Sequence, residues 1–147
     1  WEYGHNPDNL NQPLSIRTYV APTEEEANAE VEHVVWFYRL MATLLPGAPG
    51  RPAPPAGYEN YPQDPSVLGS ITVDDVLERG TAFGTADRVI ETLKTYMRRL
   101  GATSFMTQMR IGGLEHHKVR RSMELFAEKV MPALREEEAK MKAEKTA

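Results

Sequence analysis

The last third of the chain holds a short apolar run that ends in two glycines and leads into a long amphipathic helix. The run covers residues 104–111, the glycines are Gly112 and Gly113, and the helix is predicted over residues 115–131. A strand that stops at paired glycines and feeds a helix is typical of α/β folds, where such a turn brings backbone N–H groups close to a ligand. The pattern therefore predicts a parallel βα unit and restricts the fold to the α/β class.

Two further strand-helix steps precede this unit. The strands are predicted over residues 14–21 and 80–84, and the helices that follow them over residues 24–45 and 86–100. Repeated βα units imply a mainly parallel sheet. Three short strands cannot bury both faces of such a sheet well, so we expect missing chain or a partner. We therefore interpret residues 1–147 as a single incomplete domain, and a chain that begins at Trp1 fits a C-terminal fragment of a longer protein.

The first long helix has a clear start and a broad apolar surface. Thr23 and Glu26 form a predicted capping box, and Pro46 ends the helix. A stripe at spacings of three and four predicts its buried side, which comprises Ala27, Val31, Val34, Tyr38, Met41 and Leu45. Trp36 and Leu44 are among the residues that widen this stripe. We therefore expect the helix to be buried on more than one side.

Residues 46–66 are too rich in proline and glycine for a regular element. The segment can be a linker or an ordered loop over an active site. Tyr58 and Tyr61 favour the loop, because linkers rarely carry paired aromatic residues, and we interpret these two tyrosines as part of a substrate lid.

The last two helices are predicted to bury apolar stripes. In the helix over residues 86–100 the stripe includes Leu93 and Leu100, and in the helix over residues 115–131 it comprises Val119, Met123, Phe126 and Val130. Pro132 is expected to break or kink the last helix. Residues 133–147 are then expected to form a charged, solvated helical tail.

Composition excludes several classes of protein. The chain has 147 residues, a net charge of -4, 41% hydrophobic residues and no cysteine. The absence of cysteine excludes disulfides, thiolate metal sites and cysteine nucleophiles. The acidic balance gives no indication of a nucleic-acid partner, and no apolar run is long enough to span a bilayer. With no signal-peptide pattern, we expect a cytoplasmic protein without a membrane partner.

Three segments together resemble one protein family. They read RTYVAPTEEEA over residues 17–27, FGTADRVI over residues 83–90 and SMELFAEKVMP over residues 122–132, with Gly112-Gly113 between the last two. In this order they resemble the C-terminal part of the bacterial luciferase-like flavin-dependent monooxygenases. Ala86 stands where that family usually has proline, a departure that leaves the helix start intact.

The resemblance implies a (β/α)8 TIM barrel, of which this chain supplies only the last βα units. It also implies an oxidoreductase that uses reduced flavin, usually FMN, and O2 to oxidise a small organic substrate. In the family the catalytic side chains come mostly from earlier strands, so the catalytic residues here are unknown. This chain alone is expected to be inactive, with the missing N-terminal half of the barrel or self-association completing the fold.

The end of the last strand carries the predicted cofactor-binding residues. Gln108 can hydrogen-bond a flavin edge, and Arg110 can hold a phosphate. Gly112 and Gly113 precede a helix N-terminus that can bind an anion, and Gly84-Thr85 has the same geometry. Barrel-lining or surface polar roles for Gln108 and Arg110, and plain turns for the glycines, are the competing interpretations. His116 and His117 are helix neighbours that point apart, so no metal site is expected.

Two alternative functions are compatible with the sequence. The first is a deazaflavin-dependent oxidoreductase of the same fold, which the sequence does not separate from an FMN enzyme. The second is a non-catalytic α/β module that oligomerises to cover its sheet edges.

Overall fold

A computed structural model of the chain describes residues 12–46, 48–53, 55–57, 65–78 and 80–146. The elements in chain order are β1 (Pro13–Val20), α1 (Glu24–Leu44), α2 (Pro65–Gly69), α3 (Val73–Glu78), β2 (Thr81–Gly84), α4 (Ala86–Leu100), β3 (Ser104–Gln108), α5 (His116–Leu125), a π-helical segment (Phe126–Val130) and α6 (Met131–Thr146). The α/β class with three short strands is confirmed. None of the helices in these ranges has the length and hydrophobicity that crossing a bilayer requires.

The three strands form one parallel sheet in the order β2-β1-β3. Arg17 of β1 lies opposite Thr81 of β2 and opposite Gln108 of β3. The β1–β3 ladder therefore stops at Arg17, whereas the β1–β2 ladder continues to Val20. Beyond Arg17, β1 has no strand neighbour on its β3 side among the described residues.

The sheet is covered by helices on both faces. Tyr19 of β1 packs with Val31 and Val34 of α1 in one apolar cluster, whereas Ile16 and Val20 pack with α4 in another. Side chains alternate between the faces of a strand, so α1 and α4 lie on opposite faces. Right-handed crossovers produce this arrangement when the chain moves from β1 to β2 and then back past β1 to β3.

This strand order corrects one expectation. Consecutive units of a TIM barrel are neighbours and carry their helices on the outer face only. Here the consecutive strands β2 and β3 are separated by β1, and helices cover both faces. The described residues therefore form a small three-layer α/β unit rather than a wedge of neighbouring barrel strands.

Helix boundaries follow local signals closely. The Thr23 hydroxyl accepts a hydrogen bond from the Glu26 N–H at 3.2 Å, as the capping box predicts. Gly101 ends α4 in the left-handed conformation with φ 65°. α2 begins at Pro65, inside the predicted loop, because proline is tolerated in the first turn of a helix.

Several apolar residues predicted to be buried are exposed. Trp36 and Leu44 of α1, Leu100 of α4 and Met123 of α5 each expose half or more of their surface. The buried residues of α1 are Ala27, Glu30, Val31, Val34, Val35 and Ala42. Trp36 and Leu44 share the opposite side, so α1 is covered on one side only. On α5 the buried position beside Val119 is Ser122.

The chain continues past Pro132 without a break. A π-helical segment (Phe126–Val130) joins α5 to α6, and Pro132 is the second residue of α6. Proline lacks an N–H and crowds the carbonyl four residues earlier, which here belongs to Glu128. Because Glu128 lies in the wider π turn, the helix accommodates proline instead of ending.

The charged tail is also less solvated than expected. Glu137 of α6 is buried and pairs with Arg98 of α4. This ion pair fixes α6 against α4, so residues 131–146 belong to the folded unit.

Candidate functional site

Gln108 and Arg110 do not share a strand face. β3 ends at Gln108, so strand alternation does not extend to Arg110, which lies in the following loop. Both side chains are exposed, and Gln108 Nε2 donates to Ser15 Oγ at 3.0 Å on the neighbouring strand. Arg110 makes no ion pair with the described residues. These two predicted residues therefore do not converge on one enclosed site.

The Gly112-Gly113 turn packs against helix α1. Gly112 has φ 58°, and a Cβ at this position would lie 2.7 Å from the backbone oxygen of His33. A Cβ at Gly113 would lie 3.3 Å from His33 Nδ1. The glycines thus permit close approach of the backbone, and the described group that they approach is α1.

The N-terminus of α4 at Gly84-Thr85 holds a carboxylate from the protein itself. Glu24 Oε1 accepts from the Thr85 N–H at 2.8 Å and from the Thr85 hydroxyl at 2.7 Å. Arg88 donates to Glu24 Oε2 at 2.8 Å. Burial disfavours the charged carboxylate, but these hydrogen bonds outweigh it and lower the pKa of Glu24. The predicted anion position is therefore occupied by an internal anion.

Sequence reasoning missed a polar cluster around a buried carboxylate, which consists of Tyr19, Glu30, His33 and Lys118. Glu30 is 4% exposed, and its carboxylate accepts a hydrogen bond from the Lys118 ammonium of α5. His33 Nε2 lies 3.4 Å from Glu30 Oε2, which has no hydrogen-bond partner within the described part of the chain. The sequence did indicate a buried carboxylate, because Glu30 lies three residues after Ala27 and four before Val34 on the apolar stripe of α1.

The ionisation of this cluster is shaped by burial and by its own charges. Burial raises the pKa of the Tyr19 phenol, and the neighbouring Glu30 and Glu26 raise it further. The hydrogen bond to Glu30 raises the pKa of Lys118. The cluster therefore keeps a neutral phenol beside a charged ammonium, and it joins α1 to α5 across the carboxyl end of β1.

A second feature is a cavity of about 1070 Å³ between α4, β3 and α6. Its apolar wall includes Met97, Phe105, Phe126, Leu134 and Met141. Residues 101–105 and Thr107 line it as well, so it extends along β3. None of Gln108, Arg110, Gly112 and Gly113 contributes to this cavity.

The predicted cofactor residues have different surroundings. Gln108 bonds Ser15 at an exposed position, the glycine turn lies against α1, and Arg110 is exposed in a loop. Tyr58 and Tyr61, the predicted lid, lie outside the described residues. Within the described ranges, no group of three or more His, Asp or Glu side chains is placed to hold a metal ion. His116 and His117 are exposed at the start of α5.

Comparison with known proteins finds no protein-family model and no curated protein that matches this chain.

Proposed function

We propose that this chain forms part of a flavin-dependent oxidoreductase similar to the luciferase-like monooxygenases. In this proposal, reduced FMN and O2 oxidise a small organic substrate. One observation carries the proposal: the first two segments that resemble the family, and the Gly112-Gly113 pair, each fall at a step from a strand into a helix, and the third segment, residues 122–132, lies within the helices that follow. These steps are β1 to α1, β2 to α4 and β3 through Gly112-Gly113 to α5.

The free edges of the sheet are consistent with a flavin pocket to which this chain and further polypeptide both contribute residues. Within the described residues β2 and β3 each pair only with β1, so both outer edges of the sheet are free. Free edges can accept additional strands. In this proposal the rest of the flavin pocket, with its catalytic side chains, comes from further polypeptide or from a second copy.

The TIM barrel that the resemblance implies is not part of the proposal. Barrel units follow one another around the axis, whereas the strands here have the order β2-β1-β3. Bound flavin would supply the oxygen chemistry. This chain would supply packed βα units, and Arg110 would be available to a phosphate group, since no described acidic side chain pairs with it.

Flavin binding tests the proposal directly. We would express the complete reading frame that contains this sequence and titrate it with FMN, and separately with a deazaflavin, while following cofactor fluorescence. Saturable binding of FMN with substrate-dependent O2 consumption is the expected result. Preference for the deazaflavin without O2 consumption would support the deazaflavin-dependent alternative. A folded protein that binds neither cofactor would refute both.

Arg110 gives the titration a matched pair of variants. Arg110→Gln is expected to weaken FMN binding about ten- to hundredfold, because a charged hydrogen bond to phosphate contributes on the order of 1.5 to 3 kcal/mol. Arg99→Gln removes an exposed arginine of α4 and should leave the affinity unchanged. Equal affinities for the two variants would exclude Arg110 from the phosphate site.

The free strand edges also favour a second candidate, a non-catalytic α/β module that self-associates. Met106 is 61% exposed on β3, next to the free edge, and offers an apolar contact. Light scattering coupled to size-exclusion chromatography of this chain distinguishes the candidates. A discrete small oligomer with cooperative melting supports the module, whereas a monomer or an aggregate contradicts it.

A further inference from the structure

The cavity between α4, β3 and α6 combines an apolar wall with charged groups from one helix. α6 contributes Arg135, Glu138 and Lys142 to its lining. Lys142 Nζ lies 2.5 Å from Glu138 Oε1, so these two charges offset each other. Arg135 is exposed and makes no ion pair with any described residue. The lining therefore carries one uncompensated positive charge beside an apolar surface.

The apolar wall suits a flexible chain rather than a rigid polar ligand. Met97, Met131 and Met141 line the cavity together with Phe105, Phe126 and Leu134. Methionine side chains are unbranched and adapt to an irregular apolar partner. A volume of about 1070 Å³ is at the upper end of the range of small-molecule pockets, which run from about 300 to 1,000 Å³.

We propose that this cavity binds an amphipathic molecule that has a linear apolar chain and a single anionic head, of which a long-chain carboxylate is the simplest case. The chain lies along the methionines and phenylalanines, and the head group accepts hydrogen bonds from Arg135. A cationic amphiphile is disfavoured by the same arginine. None of Gln108, Arg110, Gly112 and Gly113 lines this cavity, so the inference goes beyond the proposed function and does not depend on flavin binding.

The methionines provide a direct readout of this site. Carbon-13 labelling of the methionine methyl groups allows dodecanoate binding to be followed by NMR. We expect saturable shifts for Met97, Met131 and Met141 below the concentration at which dodecanoate forms micelles. Met106 and Met123, which are exposed and do not line the cavity, should not move. Equal shifts at Met106 and Met123, or no saturation, would overturn the proposal.

Variants separate the head group from the apolar chain. Arg135→Gln is expected to weaken dodecanoate binding about tenfold and to leave binding of uncharged dodecanol unchanged. Arg120→Gln is the control, because Arg120 is exposed on α5, pairs with Glu124 and lies outside the cavity. Met141→Glu places a negative charge in the wall and should abolish dodecanoate binding while circular dichroism stays unchanged. Wild-type affinity in both Arg135→Gln and Met141→Glu would refute the site.

Discussion

The hydroxyl of Ser122 accepts a hydrogen bond from the backbone N–H of Val20 at a distance of 2.8 Å, and both residues are buried. Val20 lies where β3 no longer accompanies β1. Helix α5 therefore replaces the missing end of β3 and satisfies a backbone donor that would otherwise be buried without a partner.

Ser122→Ala should destabilise the protein by about 1 to 3 kcal/mol, because the buried Val20 N–H loses its acceptor. Urea unfolding followed by circular dichroism measures the difference. Ser15→Ala is the matched control: Ser15 is exposed, and its bond with Gln108 is open to solvent, so we expect a change below about 0.5 kcal/mol. Equal effects of the two substitutions would argue against α5 as the partner of β1.

Gly112→Ala should destabilise more than Gly80→Ala. Both glycines have positive φ, so alanine costs about 1 to 2 kcal/mol at either position. Only at Gly112 does the added Cβ also approach the His33 oxygen, whereas nothing lies within 4 Å of a Cβ at Gly80. The difference between the two free energies of unfolding isolates the contact between the glycine turn and α1. Identical values would show that this contact is not close.

Lys118→Met should destabilise more than Glu30→Gln. The first substitution leaves the buried Glu30 carboxylate without its ammonium partner, whereas the second leaves Lys118 free to reach water. Thermal unfolding of both variants and of Arg120→Met, which breaks an exposed pair, gives the order. We expect Lys118→Met to have the lowest melting temperature and Arg120→Met to match the wild type. The reverse order for Lys118 and Glu30 would contradict the burial of Glu30.

Glu24 makes the stability of the folded protein depend on pH in the acid range. Its pKa is lowered in the folded protein, so its contribution is fully present above the unfolded value of about 4.5 and is lost as the pH falls through the folded value. Glu24→Gln should therefore be less stable than the wild type at neutral pH, and the difference should shrink below about pH 4.5. Glu25→Gln changes an exposed neighbour that makes none of these hydrogen bonds, and we expect it to stay within about 0.5 kcal/mol of the wild type at neutral pH. Unfolding curves recorded between pH 3 and pH 7 test both expectations.

The sequence predicted those features that short-range signals determine. Thr23 and Gly101 mark helix ends through hydrogen bonds and backbone conformation within a few residues, so the boundaries of α1 and α4 were predictable. The end of β3 at Gln108 was not predictable. Beyond it the Val20 N–H bonds the hydroxyl of Ser122, which lies in a distant part of the chain. Met123 was wrongly predicted to be buried for the same reason, since the contact of Ser122 fixes the rotation of α5.

The candidate site was predicted less well than the fold. Gly112 was correctly identified as a point of close approach, but its neighbour is α1. The anion at the start of α4 is Glu24, which is 61 residues away in sequence from Thr85. Neither contact, Gly112 with α1 or Thr85 with Glu24, is marked by a local sequence pattern, because both depend on which helices the sheet brings together. The roles of Gln108 and Arg110 in flavin binding remain predictions.

The central position of β1 has a consequence for how the protein is made. Among the three described strands β1 comes first in sequence, and both of its neighbours and the α5 hydroxyl that satisfies Val20 follow it in the chain. Because 102 residues separate Val20 from Ser122, the first strand-helix unit cannot be completed until α5 has been synthesised. Completion of the sheet therefore depends on long-range pairing, which leaves the apolar faces of β1 and α1 exposed until the later elements have been synthesised. We expect the chain to depend on chaperones during synthesis, because the central strand of this sheet precedes both of its partners.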